Sequence, residues 1–342
     1  MEKYKYKTDV PVMILFFNRP STLERVFAAV KAARPSVLLL AQDGARNGDD
    51  TEKVELCRKI VENVDWDCKI YKNYSDINLS CDHREFTAID WAFTLVDRLI
   101  ILEDDCVPCA SFFPFCAELL ERYKYDERVD RICGFNRIEK YDKIESDYFF
   151  STIASGYGWA TWKRNWDKIK SISDYSFLDN KDAVEVYNFS RKIIADKNYG
   201  DILKDCRLFR VNNAKTDKIN SWENLVGVNT LLNSSLVITP KRNMVRNIGA
   251  TDDATHYSEF KYCDPIVKRM LLMNFYDIEF PLKHPICVIR DVRYEKEHYS
   301  KIHKSWLKKN IFKLQTGLKR LFNGDIKGLK KAIKRRFKKN ER

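Results

Sequence analysis

No stretch of this chain approaches the roughly 18 to 20 uninterrupted apolar residues that a membrane-spanning helix needs. The opening "MEKYKYKTDV" also lacks the apolar centre of a secretion signal, so the protein is expected in the cytosol. Neither G-x-x-x-x-G-K-[S/T] nor G-x-G-x-x-G occurs where an apolar run gives way to a helix, which argues against Walker-type ATPases and NAD-dependent dehydrogenases. Histidine is scarce, at five residues, and the single C-x-x-C, Cys106 and Cys109, has neither a second pair nor a histidine cluster to make a zinc or redox centre. Without an export signal the ten cysteines read as reduced thiols, most of them in the core.

What is present is the composition of a soluble globular protein, 342 residues with 44% hydrophobic and 32% charged, long enough to bury a full core. The net charge of +12 is unevenly spread. Residues 301–342 hold sixteen Lys or Arg against two acids, a net +14, whereas the rest of the chain carries −2. In that tail Leu307, Ile311, Leu314, Leu318, Leu321 and Phe322 recur at helical spacing between the lysines, with Trp306 at the start. A basic amphipathic helix suits an anionic inner-membrane surface, where each Lys or Arg is worth about 1 kcal/mol. A solvated tail and a nucleic-acid-binding tail are the alternatives, with nucleic acid the least favoured.

The first 135 residues alternate between two patterns. "VPVMILFF" (10–17), "SVLLLAQD" (36–43), "CKIYKN" (68–73) and "LIIL" (99–102) are apolar or half-apolar strands. Between them, Leu23, Val26, Phe27 and Val30 mark one helix face, with Ser21 and Glu24 as a capping box and Pro35 as its close. Val54, Cys57 and Ile60 mark a second helix over 51–63, and Phe86, Ile89, Phe93 and Val96 a third over 84–97. A fourth follows from about Ser111 to Tyr123. This alternation predicts parallel βαβ units in a doubly wound α/β sheet with helices on both faces.

One strand ends strangely. In "LIILEDDCVPCASFF" four apolar residues run straight into Glu103, Asp104 and Asp105. Ligands of open α/β sheets bind at the carboxyl ends of the strands. Here those ends carry Asn18 and Arg19, Asp43, and the three acids. Three carboxylates there could hold a hard divalent cation, and the cation could bridge the phosphates of a nucleotide.

"VMILFFNRPSTLERVF", "AQDGAR", "LIILEDDCVPCASFFPFCAELLERY" and "ICGFN", in this order, resemble the donor half of GT-A-fold, nucleotide-sugar-dependent glycosyltransferases. The branch they resemble is the N-acetylglucosaminyltransferase-I-like one, with related bacterial enzymes of surface-polysaccharide synthesis. "ASGYGWATWKRNW" (154–166), "NSWENLVGVNTLL" (220–232) and "PKRNMVRNIGATDDATH" (240–256) are similar to that group's acceptor side. The resemblance spans about residues 8–300 and implies a nucleotide-sugar half (8–135), an acceptor half of the same GT-A domain (136–300) and the basic tail (301–342). It implies Asp105 as the direct ligand of Mn²⁺ or Mg²⁺, Asp104 facing ribose and metal-bound water, and Glu103 as a supporting acid. It further implies Arg19 at the nucleotide or its diphosphate, Asp43 at the base, and Arg84 as a second phosphate candidate. Cys106 and Cys109 depart from the family pattern and read as packing beneath the loop.

The chemistry implied is transfer from a nucleotide sugar, a UDP-sugar, to a glycan or lipid-linked glycan with inversion. That reaction needs one base for the acceptor hydroxyl, worth about 10²- to 10⁴-fold. Glu223 in "SWEN" is the choice, against the plainer alternative that Ser221 caps the helix and Glu223 complements its dipole. Asp217 and Asp253 come next. Trp159, and less so Trp162, could stack on a sugar, although two tryptophans three apart on a helix also suit a core. His256 could complete the metal shell, Asp252 and Asp253 read as a turn after Gly249, and Asn247 with Gly249 would shape a loop over the donor. Two rival readings remain: a noncatalytic membrane- or nucleic-acid-binding protein on the same scaffold, and a sugar nucleotidyltransferase, whose Gly-rich basic loop "FFNRPSTLER" lacks.

Overall fold

A computed structural model describes residues 5, 7–182, 184–185, 199–216, 218–219, 221–250, 262, 264–302, 315–316, 318–323 and 325. His256, Asp217, Asp252, Asp253 and most of the basic tail lie outside the described residues.

The predicted alternation is present. Strands β1 (Val12–Phe16), β2 (Val37–Gln42), β3 (Lys69–Tyr74) and β4 (Arg98–Glu103) pair in parallel in the order β3-β2-β1-β4. The second half of the chain extends the same sheet through β6 (Val129–Cys133), β7 (Tyr148–Ser151), β8 (Trp159–Trp162) and β9 (Leu236–Pro240), to the order β3-β2-β1-β4-β8-β6-β9-β7. Only β7 and β8 run against the others, so the sheet is mostly parallel. A short antiparallel ribbon joins β5 (Cys106–Pro108) to β10 (Val245–Asn247).

Alternate residues of each strand feed two cores, as the period of two requires. Val12, Ile14, Phe16, Leu38, Leu40, Ile100 and Leu102 face helices α1 (Pro20–Ala33), α2 (Gly48–Val61) and α4 (Phe112–Arg122). Met13, Leu15, Leu39, Ala41, Leu99 and Ile101 face α3 (Cys81–Ala92), α5 (Lys163–Ser171), α6 (Tyr199–Thr216) and α7 (Trp222–Leu232) on the other side. Two further helices, α8 (Pro265–Leu271) and α9 (Val292–Ile302), follow β10. No described helix is long and apolar enough to cross a membrane.

Two local expectations are corrected. The Ser21–Glu24 capping box does not form: Arg19 is the N-cap, Pro20 opens the helix and Ser21 is already inside it. Proline without an N–H and with its φ preset suits the first helical position, and the helix starts two residues earlier than a Ser21 cap would place it. "WATW" is a strand, β8, wedged antiparallel between β4 and β6. The helical spacing of its tryptophans is incidental to a four-residue element buried on both faces.

Candidate active site

The order β3-β2-β1-β4 reverses direction at β1, and the crevice of such a sheet opens there, beyond the carboxyl ends of β1 and β4. Leu15 lies opposite Glu103 across these strands, so Phe17 to Arg19 come alongside Asp104 and Asp105. The Phe17 N–H donates to Asp104 Oδ2 at 3.1 Å. Arg19 spans both acids, donating from Nη1 to Asp105 Oδ2 at 2.9 Å and from Nη2 to Asp104 Oδ1.

The β5–β10 ribbon closes the far side of Asp105. Asn247 Nδ2 donates to Asp105 Oδ1 at 3.0 Å, the Cys106 thiol to the same oxygen at 3.4 Å, and the Ile248 N–H to the Asp105 carbonyl at 2.8 Å. Gly249 presses against this carboxylate: a Cβ there would sit 2.0 Å from Asp105 Oδ2, so no other residue fits without moving the acid. Asn247 and Gly249, expected to shape a loop over the donor, are thus packed directly on the acid run. Burial and the Asp105 charge push the Cys106 thiol well above its ordinary pKa, and burial pushes Cys109 up to about 11, so both are neutral thiols that fill the core.

Beside this crevice, at the end of β2, Asp43 is buried and accepts from the N–H groups of Gly44 (3.0 Å) and Leu79 (2.8 Å) through one oxygen. Desolvation raises its pKa. Gly44 is required because a Cβ would meet the Ile77 backbone at 2.5 Å. Asp50 holds the neighbouring turn together by accepting from Asn18 and Arg46, and the Arg46 hydrogen bond lowers its pKa to about 2.

A third group meets the acid run from the opposite side. Trp222 Nε1 donates to Glu85 Oε2 at 2.7 Å and the Cys81 thiol to Glu85 Oε1 at 2.9 Å. Desolvation pushes Glu85 up to about 7, against the lowering pull of Cys81 and Trp222, with the Glu223 and Asp82 charges adding to the rise. Glu103 is raised well above the carboxylate range by desolvation and then by Glu85, Asp105, Glu223 and Asp104. Asp104 is pushed up to about 6 by burial, with Arg19 pulling it down and Asp105 pushing it up. Glu223 itself is exposed, on the first turn of α7, with Oε1 3.2 Å from where a Cβ on Gly156 would lie.

Glu103 therefore feels the charges of Glu85, Asp104, Asp105 and Glu223, and among the described residues the guanidinium bonded to this acid run is that of Arg19. Like charges that raise one another's pKa leave a site that more positive charge would stabilise. Oxygens of Glu103 and Asp105 and the sulfur of Cys106 come within 4.8 Å of one another. The two carboxylates suit a hard cation such as Mg²⁺ or Mn²⁺, and a soft sulfur donor does not.

Of the residues picked out from sequence, Arg19, Glu103, Asp104, Asp105 and Glu223 are brought together at the carboxyl ends of β1 and β4, with Asp43 at the adjacent strand end. Arg84 is not free for a phosphate. It is buried, donating to the Gln42 and Asn73 carbonyls and to Asn73 Oδ1, where it ties the ends of β2 and β3 together. Trp159 is 3% exposed with its ring stacked on Trp222 at 6.1 Å, and Trp162 is buried with Nε1 on the Leu120 carbonyl. Both rings are packed within the protein, and neither is presented to a sugar. Ser221 stands at the N-cap of α7 in the left-handed region, φ 54°, without a side-chain cap. Glu85 escaped the sequence reading because it is an ordinary helix acid until α3 meets α7.

No protein-family profile and no curated protein matches the chain in sequence. Among solved structures it is similar to a 4-diphosphocytidyl-2C-methyl-D-erythritol synthase from Anaerococcus prevotii, at 10% identity and a TM-score of 0.31 over 48% of this chain and 77% of that one. It is also similar to a UDP-glucose pyrophosphorylase complexed with UDP-glucose, at 9% identity and a TM-score of 0.26 over 46% of this chain and 70% of that one. Similarity at this level says nothing about activity.

Proposed function

We propose that this chain is a metal-dependent, inverting glycosyltransferase that moves a sugar from a UDP-sugar to a glycan or lipid-linked glycan acceptor in bacterial surface-polysaccharide synthesis. What supports the reading is one convergence: an acid run at the carboxyl end of β4, in the crevice where the sheet reverses, with an exposed acid on the far side. Asp105 would hold Mn²⁺ or Mg²⁺ with Glu103 in support. When bound, the cation supplies charge neutralisation for the departing nucleoside diphosphate. The remaining work falls to side chains of this chain. Asp43 accepts a hydrogen bond from the base, Asp104 faces the ribose, and Arg19 binds the diphosphate through its planar fork. Glu223 takes the proton of the acceptor hydroxyl as that oxygen attacks the anomeric carbon. The basic tail would hold the enzyme at the cytoplasmic face of the membrane, where a lipid-linked acceptor is presented.

The competing reading, a sugar nucleotidyltransferase, draws on the same acid run. Its product differs. Purified protein incubated with a panel of nucleotide sugars and acceptors, with and without Mn²⁺, is expected to release nucleoside diphosphate. Release of pyrophosphate from a nucleoside triphosphate and a sugar phosphate would assign it to the rival class, and no turnover of either kind would favour a noncatalytic scaffold.

A further inference from the structure

The carboxylate of Asp105 is enclosed on almost every side by groups that cannot leave. Its Oδ1 receives Asn247 and Cys106. Asn247 is itself fixed, because its Oδ1 accepts the Gly249 N–H at 2.9 Å and its backbone belongs to the β5–β10 ribbon. Cys106 is a buried residue of that ribbon. Oδ2 is crowded by the Gly249 backbone, against which no Cβ would fit. Among the described residues, the partner on a long, rotatable side chain is Arg19, 19% exposed and rooted at the N-cap of α1.

We infer that Arg19 and a divalent cation compete for Asp105, and that the donor's diphosphate resolves the competition by drawing Arg19 off the acid run. The Arg19 guanidinium, charged at any working pH, contacts both Asp104 and Asp105 and is their full counter-charge. A hard cation at Asp105 would meet that charge at a distance where the two repel strongly. The fork that spans two carboxylates also matches two phosphate oxygens, and phosphate is the stronger lure once the cation neutralises the acids. Cation and nucleotide would then bind as a coupled pair, each raising the affinity of the other. The inference rests on the reading of Asp105 as the cation's ligand.

Mn²⁺ binding by full-length protein, read from the spin-resonance signal of the free ion, tests this without turnover. In the absence of nucleotide, Arg19→Gln is expected to bind Mn²⁺ more tightly than wild type, on the order of tenfold for the loss of a charged hydrogen-bonded competitor. Arg19→Lys, which keeps the charge and loses the fork, is expected to fall between them. Arg46→Gln removes an arginine of the same sheet end that holds Asp50, and is expected to match wild type. With UDP added, Arg19→Gln is expected to show weaker UDP binding and a smaller gain in Mn²⁺ affinity. Equal tightening by Arg46→Gln and Arg19→Gln would reduce the effect to net charge and overturn the inference, as would no tightening in Arg19→Gln. Should that variant fail to fold, Arg19→Lys decides, with wild-type affinity counting against. If Asp105→Asn leaves Mn²⁺ binding unchanged, or no variant binds the ion even with UDP, the reading of the metal site fails and takes this inference with it.

Discussion

Two arginine–aspartate pairs stand on the same sheet and do opposite things. Asp130 and Arg131 on β6 are both fully buried, bonded at 3.0 Å. Asp130 also accepts from Thr230 and Ser235, and Arg131 reaches the Val226 carbonyl and the Thr230 hydroxyl. One charge meets one charge, and two hydroxyls and a backbone carbonyl take up further lone pairs and N–H groups, so the pair clamps β6 to α7. Among the described residues the Arg19 cluster has the same chemistry with a surplus: one guanidinium faces Asp104 and Asp105, and the charges of Glu85 and Glu223 act on the adjoining Glu103. A balanced pair is a fastening, and an unbalanced one is a place where further cations or anions can bind.

The largest effect expected from breaking this contrast is at Asp105. Asp105→Asn should abolish transfer and metal-dependent nucleotide binding while leaving the melting temperature within a few degrees, because the near-isosteric amide relieves like-charge repulsion in the acid run as it weakens the Arg19 contact. Transfer at near-wild-type rate would remove the acid run from the site. Glu223→Gln comes next, with a loss of about 10²- to 10⁴-fold in kcat and little change in donor KM. Unchanged kcat would move the role of base to Asp217 or Asp253.

On the balanced side, Asp130→Ala should destabilise the protein by about 3–5 kcal/mol, since it strands a buried guanidinium. Equilibrium urea unfolding measures it, and a shift under about 1 kcal/mol would show that Arg131 finds water or another partner. Glu85 gives a subtler signature. Its folded pKa of about 7 lies above the ordinary 4.5, so the folded protein holds the extra proton and its stability falls as pH rises between these values. Glu85→Gln should flatten that dependence and melt above wild type at pH 8, with EDTA present throughout. An unchanged pH profile would show that another group carries the proton. The smallest effect on the site itself is expected from deleting residues 301–342. That variant should lose binding to anionic vesicles and slow with a lipid-linked acceptor, yet transfer normally to a soluble one. Raised salt should weaken vesicle binding in the same direction, and tail-dependent DNA binding without vesicle binding would refute the membrane role.

The strands of the first half were legible because a parallel strand covered by helices on both faces must be apolar at nearly every position, as "VMILF" and "VLLLAQ" are. Helices α1, α2 and α4 were legible through one apolar face each. The start of α1 was misread because proline outranks a serine two positions after the true cap. β8 was misread because four residues carry too little periodicity to separate a strand from a turn of helix. Arg84 and Trp159 have the residue types of a ligand site, and only their neighbours reveal that carbonyls and another indole already occupy them.

Sequence alone therefore determined the alternating layers and the odd placement of three acids after an apolar strand, since both are properties of neighbouring residues along one chain. The tertiary structure decided which charges share a space: Arg19 against Asp104 and Asp105 across two strands, Asn247 and Gly249 brought back from some 140 residues away, and Glu85 joined to Trp222 across two helices. Charge interactions act through distance in space, and a linear sequence does not contain the distances between segments that only packing brings together.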